Sequence, residues 1–214
     1  MYAVNTYEEI VAQEKALNER HIVVFLFVRP SLPGAKEVIA EFDYLHVNSR
    51  RYCSIYAVGY SKSRGKLKNP QEVAGVKGDI WYYSNAAFVD FKEKLKNRIK
   101  WKYGGEIELL ILQSNPGLRD FLDFRNYLAI DVNEGIKKEY IDSFPKFMEA
   151  LIDSSRSEIC AADALSRMQR GKYDIRRILE TALGEIKAVP APVKKIVKDR
   201  LFFRTSRSYS DKIG

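Results

Sequence analysis

The chain has few of the residues that most often carry chemistry. Its 214 residues include 2 cysteines and 2 histidines. Cys53 and Cys160 form no CxxC motif, and neither has a zinc-like spacing to His21 or His46. We therefore expect both thiols to be buried and reduced, and we expect no metal site and no cofactor.

Long apolar runs are also missing. The longest one, Ile22–Val28, is far too short to cross a bilayer. The first residues, MYAVNTYEEIVAQEKAL, include acidic side chains and lack the continuous apolar segment of a signal peptide. No glycine-rich phosphate-binding pattern of the GxGxxG type is present. These absences predict a cytoplasmic protein that makes no contact with a membrane.

Positive charge, by contrast, is in excess and unevenly distributed. The formal net charge is +8, and the segment Ser157–Gly214 holds 13 Lys or Arg against 7 Asp or Glu, which is +6 of that total. A basic segment of this kind suits nucleic acid, another polyanion or an acidic protein surface. The charge therefore favours a binding function without choosing the partner.

The stretch VVFLFVRPSLPGAKEVIAEF predicts a strand, a turn and a helix. The apolar run Ile22–Val28 is typical of a central strand that is covered on both faces. Pro30 and Pro33 prevent continuation of the strand, and Ser31 is expected to cap the helix that begins at Ala35. The turn carries no obvious nucleophile.

Further elements follow in the order that periodicity and turn residues predict. Thr6 and Glu9 form a capping box at the start of an N-terminal helix. Strands are expected at 52–61, 106–114 and 123–132, and helices after Ser84 and Asn133, the second of them kinked or divided at Pro145. A long polar excursion, Lys62–Gly78, follows the second strand and returns through a short strand in DIWYY.

The C-terminal part shows no strand pattern. Three helical pieces are expected there, at Glu158–Arg170, Tyr173–Lys187 and Pro192–Arg204. We therefore predict an α/β domain over residues 1–155 and an all-helical basic extension over residues 156–214. The apolar triplet Leu201–Phe203 within this basic setting suggests an anchor that orders on a partner.

This element order, a β-α-β unit followed by a helix and a β-β-α unit, resembles the thioredoxin-like fold over about Thr6–Ser154. The segment FVRPSLPGAK lies beside the family's Trp-Cys-Gly-Pro-Cys-Lys motif, so that Leu32 and Ala35 stand where the two cysteines would be. Gly104 and Gly105 stand where the family has a cis-proline before its third strand. The resemblance implies a three-layer sandwich, with a mixed central sheet and flanking helices but without redox chemistry. A flavodoxin-like or Rossmann-like sandwich is the alternative.

A second resemblance concerns context rather than fold. The pattern EFDYLHVNSRRYCSIYAVGYS, Glu41–Ser61, is similar to uncharacterised bacterial proteins found beside conflict and defence genes. What this resemblance implies is a role in antiviral defence, with no family name attached.

Two groups of side chains are candidates for chemistry. Arg29, Ser31 and Gly34 could bind an anion at the start of the helix, although Ser31 could equally only cap it while Arg29 pairs with a carboxylate. Asp43 and His46 are three positions apart on one helix, so a carboxylate could orient an imidazole as a general base. The alternative is that His46 only favours the end of the helix dipole.

Two groups of basic residues are candidates for partner binding. The first lies in the excursion and is interleaved with an aromatic set that could stack on bases or could simply belong to the core. Its cations are Lys62, Arg64, Lys66 and Lys68, to which Lys100 and Lys102 add beside the later aromatic residues; the aromatic set is Tyr60, Trp81, Tyr82, Tyr83, Trp101 and Tyr103. The second group lies near the C-terminus and comprises Lys194, Lys195, Lys198, Arg200, Arg204 and Arg207.

The leading hypothesis is a non-catalytic binding or assembly subunit of a larger bacterial complex, which contacts a protein partner or nucleic acid through its basic C-terminal helices. One alternative is a nucleic-acid-binding protein, with a role in antiviral defence. Another is an enzyme acting on a phosphorylated small molecule at the Arg29–Ala35 turn. The absence of a clear nucleophile favours the non-catalytic hypothesis.

Overall fold

A five-stranded mixed sheet forms the centre of the computed structural model, which describes residues 6–49, 52–74, 80–139, 141–153, 155 and 203–205. The strands are β1 (Ile22–Phe27), β2 (Cys53–Ala57), β3 (Tyr60–Ser61), β4 (Gln71–Ala74), β5 (Ile80–Tyr83), β6 (Glu108–Ser114), β7 (Leu122–Asp131) and β8 (Phe203–Thr205). The helices are α1 (Tyr7–Leu17), α2 (Ala35–Ala40), α3 (Phe42–Asn48), α4 (Asn85–Lys96), α5 (Val132–Lys137) and α6 (144–153), with a 3-10 turn at Arg64–Lys66.

The central sheet has the order β2-β1-β6-β7-β8. Strands β1 and β2 are parallel, whereas β6 is antiparallel to β1, and β7 and β8 continue the sheet in antiparallel pairs. The crossover between the parallel strands runs through α2 and α3. The prediction of an α/β domain with a mixed sheet and flanking helices is thus confirmed.

Strand β1 is buried along its whole length, as the continuous apolar run predicts. Phe25 and Phe27 point to the same face because side chains alternate along a strand, and both contact α4, with ring centroids 5.2 Å from Phe91 and 5.9 Å from Phe88. Tyr7 of α1 also contacts Phe91, so α1 and α4 cover this face together.

The predicted helix after β1 begins at Ala35, but it is divided into α2 and α3 at Glu41. Ser31 does not cap it, which corrects the expected role of this residue. Two turns precede the helix, with the Leu32 amide donating to Arg29 and the Ala35 amide donating to Leu32. The cap position is therefore Gly34, in the left-handed region at φ +76, and Ser31 is exposed.

Two other helix ends agree with the sequence patterns. The Thr6 hydroxyl accepts a hydrogen bond from the Glu9 amide at 3.1 Å, and the Ser84 hydroxyl accepts one from Ala87 at 3.3 Å. The division expected at Pro145 is also present, because α5 ends at Lys137 and α6 begins at 144. The proline lies in the first turn of α6, where its missing amide hydrogen costs nothing.

The excursion after β2 is not a plain exposed loop, which corrects the sequence prediction. Strands β3, β5 and β4 form a separate antiparallel sheet in that order, with the excursion supplying β4. This second sheet packs on α3, because Phe42 meets both Tyr60 and Trp81 edge to face at 5.0 and 5.2 Å. Its hydrogen-bonded pairs join residues that are distant in sequence, which local turn signals do not reveal.

The C-terminus also differs from the all-helical prediction. Phe203 and Arg204, which were expected at the end of the third helical piece, belong to β8 and lie opposite Ile130 and Ala129 of β7. The remainder of the three helical pieces lies outside the described residues. Residues 203–205 of the basic segment therefore form a strand of the central sheet.

Gly59 connects the two sheets and provides a direct test of the fold. Its φ is +82, and a Cβ there would lie 3.0 Å from the Phe88 Cβ and 3.0 Å from the Ser84 carbonyl oxygen. We expect Gly59→Ala to lower the free energy of unfolding by at least about 1–2 kcal/mol, since a side chain in the left-handed region costs that much before the close contacts are added. Urea denaturation measures the effect.

Gly65 is the matched control for this prediction. Among the described residues beyond its chain neighbours, no atom lies within 4 Å of the position that a Cβ on Gly65 would take, and its φ is not positive. Gly65→Ala should leave stability unchanged or raise it by up to about 1 kcal/mol, because it restricts the unfolded chain. Equal stabilities for the two variants would contradict the tight connection at Gly59.

Candidate functional site

Arg29 continues the row of side chains formed by Phe25 and Phe27 beyond the carboxyl end of β1. Its guanidinium lies over the rings of Phe88 and Tyr103, with centroid distances of 5.1 and 5.7 Å. The Tyr83 ring contacts Phe88 at 6.2 Å, and the charge of Arg29 acts on the Tyr83 phenol. We call Arg29, Tyr83, Phe88 and Tyr103 the Arg29 cage.

The nitrogens of Arg29 divide into two kinds. Nε is buried and has no hydrogen-bond partner among the described residues. The two terminal nitrogens form no ion pair with the described residues, and unlike Nε neither of them is buried without a partner. The ion pair that the sequence suggested as one alternative for Arg29 is therefore replaced by stacking on two aromatic rings. The fork of the guanidinium remains accessible from outside.

Two tyrosine hydroxyls belong to the same cage. Tyr103 Oη is buried without a hydrogen-bond partner among the described residues, and Tyr83 Oη donates to Asn85 Oδ1 over a long 3.3 Å. Burial raises the pKa of Tyr83 to about 12 and also raises the pKa of Tyr103, while the charge of Arg29 acts in the opposite direction on both. Both phenols are therefore neutral at neutral pH and able to donate.

The other two residues of the predicted anion site do not complete the cage. Ser31 is exposed in the turn. A Cβ on Gly34 would lie 3.7 Å from Ile107, and α2, which Gly34 caps, has only 6 residues. A helix this short presents a weak dipole, so the backbone amides at its start are a poor anion site by themselves. Only Arg29 of the predicted set lies in an organised surrounding.

The surface around Tyr103 is cationic. A groove of about 170 Å³ is lined by Lys92, Glu93, Lys96, Trp101, Lys102 and Tyr103. Glu93 lies 3.5 Å from the ammonium groups of both Lys92 and Lys96, so one carboxylate compensates for only part of the positive charge. A negatively charged ligand would be attracted to this side of the molecule.

The basic residues of the excursion form a second candidate surface. Lys62, Arg64, Lys66 and Lys68 are all exposed. The segment between them is held in place, because Leu67 is buried and the Ser84 hydroxyl donates to the Lys68 carbonyl at 2.6 Å. Arg64, Lys66 and Lys68 form no ion pair with a described residue. We call Arg64, Lys66 and Lys68 the basic turn.

The aromatic residues interleaved with these cations are mostly part of the core. Tyr60 and Trp81 are completely buried, and Trp101 is 2% exposed. Of the set, Tyr82 and Tyr103 keep a partly exposed surface. Bases therefore find little to stack on in the described part of the chain, and the core interpretation of these aromatics is the one that the structure supports.

Asp43 and His46, the predicted acid and base, both lie on α3 beside the second sheet. Asp43 Oδ1 accepts a hydrogen bond from Trp81 Nε1 at 3.2 Å and lies 3.4 Å from Lys62 Nζ. The His46 ring contacts Trp81 edge to face at 6.2 Å. These contacts give the Asp43 carboxylate a structural use, in holding α3 against the second sheet. A catalytic role for the pair stays a prediction.

A buried polar cluster escaped the sequence predictions. Glu14 of α1 is completely buried, its Oε1 accepting from Tyr56 Oη at 2.5 Å and its Oε2 lying 2.9 Å from His21 Nε2. His21 Nε2 is also 2.8 Å from Ser54 Oγ, and Nδ1 is 3.1 Å from Ser114 Oγ. The sequence signal for this cluster was the position of Glu14, because a residue four positions after the core residue Ile10 lies on the same, buried face of the helix. With every member buried, the cluster connects α1 to the sheet and is closed to a substrate.

The remaining candidates have simpler outcomes. Cys53 is buried in β2, and burial raises the pKa of its thiol to about 12, so the thiolate is not formed at neutral pH. Arg204 lies in β8. Lys194, Lys195, Lys198, Arg200 and Arg207 lie outside the described residues, as does Cys160.

Neither protein-family models, nor curated proteins, nor solved structures match the chain. Within the described ranges, no three His, Cys, Asp or Glu side chains are grouped as metal ligands would be. In the same ranges no helix combines the length and the apolar character needed to cross a membrane. The Arg29 cage and the basic turn are the two candidate functional sites among the described residues.

Proposed function

We propose that the protein is a non-catalytic binding subunit of thioredoxin-like arrangement, which docks on an acidic partner protein. The fold part of this proposal rests on connectivity. Strands β1 and β2 form a parallel pair joined through α2 and α3, after which α4 leads to the antiparallel pair β6 and β7 and then to α6. This is the order of a β-α-β unit, a helix and a β-β-α unit.

The residues at the redox positions support the non-catalytic part. Ala35 is completely buried at the start of α2, and Leu32 is half-buried against the core. Neither carries a group that could attack a disulfide. Cys53 lies in β2 and is kept as a thiol by its apolar surroundings. The second sheet is an addition to the thioredoxin-like order and supplies the surface on which the basic turn lies.

The basic turn is the observation that carries the docking proposal. Its three cations are exposed, lack ion pairs with the described residues, and lie on a segment anchored by Leu67 and Ser84. An anchored segment loses little conformational entropy when it binds, so its charges are effective in recognising an acidic surface. In this proposal the basic residues of the C-terminal segment add to the same long-range attraction.

Charge reversal tests this docking role. The variant Arg64→Glu, Lys66→Glu, Lys68→Glu leaves Lys62 in place, because Lys62 pairs with Asp43 and helps to hold the second sheet. Native mass spectrometry of the wild-type protein purified from its native host at low salt should show a complex heavier than the monomer. The triple variant and high salt should each reduce that complex, since both weaken charge attraction.

A matched control changes the same amount of charge elsewhere. Lys36, Lys100 and Lys137 are exposed and form no ion pair with a described residue. Their triple replacement by glutamate should leave the complex intact. A wild-type protein that is only a monomer, or equal losses in the two triple variants, would contradict the proposal.

Nucleic acid is the second candidate partner, and a role in antiviral defence belongs with it. The exposed cations of the basic turn suit phosphate contacts, which do not require aromatic stacking. A gel-shift series over salt concentration, with the same two triple variants, tests this candidate. Charge reversal is preferable to removal of the basic tail, because removal also takes β8 away from β7. No shift at low salt would remove nucleic acid as a partner.

A further inference from the structure

We propose that the Arg29 cage binds the oxyanion of a small ligand, a carboxylate or a phosphate, through the fork of the Arg29 guanidinium. The guanidinium is planar by itself, and its contacts with the Phe88 and Tyr103 rings, which are inclined at 69° to each other, restrict its orientation. A planar fork in a fixed orientation matches the two oxygens of a carboxylate or phosphate in a bidentate contact. This inference does not depend on the docking role of the basic turn.

The described residues supply no counter-anion to Arg29. Glu106 and Glu108 are the carboxylates whose charge acts on Tyr103. Glu108 is completely buried and accepts from Trp101 Nε1 at 3.1 Å and from the Gly104 amide at 2.5 Å, while Glu106 accepts from Asn133 at 2.8 Å. Neither is within ion-pair distance of Arg29. A half-buried cation without a counter-anion is costly, and an incoming oxyanion removes that cost.

Two neutral hydroxyl donors belong to the same cage. Tyr103 Oη is buried and has no partner among the described residues, and Tyr83 Oη has only its long bond to Asn85. A buried hydroxyl without a partner lowers the stability of the protein, and a hydrogen bond to a ligand would offset that cost. The first turn of α4, a helix of 12 residues, carries Phe88 of the cage, and the positive end of its dipole adds to the attraction.

The location follows the general rule for α/β proteins. The cage lies just beyond the carboxyl end of β1, where its parallel neighbour β2 also ends. Ligands of open α/β sheets bind outside the carboxyl ends of the strands. The lysines of the adjacent groove, Lys92, Lys96 and Lys102, would attract an anion toward this end.

Nuclear magnetic resonance of the full chain provides the test. The Nε–H signal of Arg29 is identified by its loss in Arg29→Lys, and sodium phosphate and sodium acetate are titrated separately at constant ionic strength set with sodium chloride. We expect a saturable shift of the Arg29 signal and of the amides of Asn85 and Gly104. Saturation by phosphate alone identifies a phosphate site, and saturation by acetate alone identifies a carboxylate site.

Two variants separate the contributions. Arg29→Lys keeps the charge but loses the fork, and it should weaken the anion affinity, followed on the two amides, at least about tenfold. Tyr103→Phe removes one hydroxyl and should weaken it about tenfold, as expected for one hydrogen bond to a charged group. Both keep a cation or a ring in place, and dispersed amide spectra verify that they fold.

Arg119→Lys is the matched control. Arg119 is exposed in the connection between β6 and β7, at the opposite end of the sheet from Arg29, because Ile22 pairs with Gln113 there. Its replacement should leave the affinity unchanged. The absence of a saturable shift with either anion, or an Arg29→Lys protein that binds as tightly as wild type, would overturn the proposal.

Discussion

Glu14→Ala is expected to lower the free energy of unfolding by about 3–5 kcal/mol, because it leaves two buried polar partners unsatisfied in the core, each at a cost of about 1–3 kcal/mol. The Glu14 carboxylate is completely buried, bonded to Tyr56 and in contact with His21. Its removal leaves the Tyr56 hydroxyl and the His21 ring in the core with fewer partners. It also removes a polar contact between α1 and the sheet, while Tyr7 and Ile10 keep the apolar contacts of α1 with the core. Urea denaturation followed by circular dichroism measures the loss.

Glu8→Ala is the comparison within the same helix. Glu8 pairs with Lys94 at 2.9 Å on the surface, where its side chain is 65% exposed. Water and salt screen such a pair, so the expected loss is below about 1 kcal/mol. For Tyr56→Phe we expect a loss in the free energy of unfolding between those of the two glutamate variants, at about 1.5–3 kcal/mol, because this change removes one hydrogen bond to the Glu14 carboxylate. A Glu14 variant as stable as the Glu8 variant would show that the buried cluster does not hold α1.

Trp81→Ala is expected to cost a similar amount, about 3–5 kcal/mol, as large aromatic truncations in a core do. Trp81 is completely buried in β5, contacts Phe42 edge to face and donates its indole hydrogen to Asp43. Lys62 stacks on its ring at 5.1 Å. The substitution therefore removes one of the two ring contacts of Phe42 with the second sheet, together with the hydrogen bond to Asp43. Circular dichroism is the appropriate measurement, because the variant loses a fluorophore.

Ile80→Ala provides the control on the same strand. Ile80 precedes Trp81, points to the opposite face and is 50% exposed. Its truncation should cost less than about 1 kcal/mol, since a half-exposed side chain leaves no sealed cavity. If Trp81→Ala were as mild as Ile80→Ala, the second sheet would have to be independent of α3, contrary to the packing described above.

Several parts of the fold could be predicted because their signals are local. The run from Ile22 to Phe27 is apolar without interruption and rich in β-branched and aromatic residues, which favours a strand covered on both faces. Thr6 and Ser84 cap α1 and α4 because a short hydroxyl side chain before a helix reaches its free amides. The alternating and apolar patterns of β6 and β7 likewise predict strands from neighbouring residues. In each case the interacting groups are only a few residues apart.

Other parts could not be predicted because their partners are distant in sequence. Ser31 has the chemistry of a cap, but the two turns after Arg29 place Gly34 at the helix start instead. β8 has no strand pattern of its own and is a strand because β7 offers unpaired backbone groups to it. Only one residue of the cage could be predicted. Arg29 was a candidate, but its partners Phe88 and Tyr103 come from a helix and a connection far along the chain.

By itself, the sequence determined an α/β chain with a buried β1, capped helices α1 and α4, a buried Cys53 thiol and a basic C-terminal segment, because these properties depend on composition and on neighbours along the chain. The tertiary structure alone decided three further matters: the second sheet made from the excursion, the burial of Glu14 against His21, and the orientation of the Arg29 fork. Each of these depends on the approach of elements from different parts of the chain, whose free energy comes from packing and desolvation rather than from local preference.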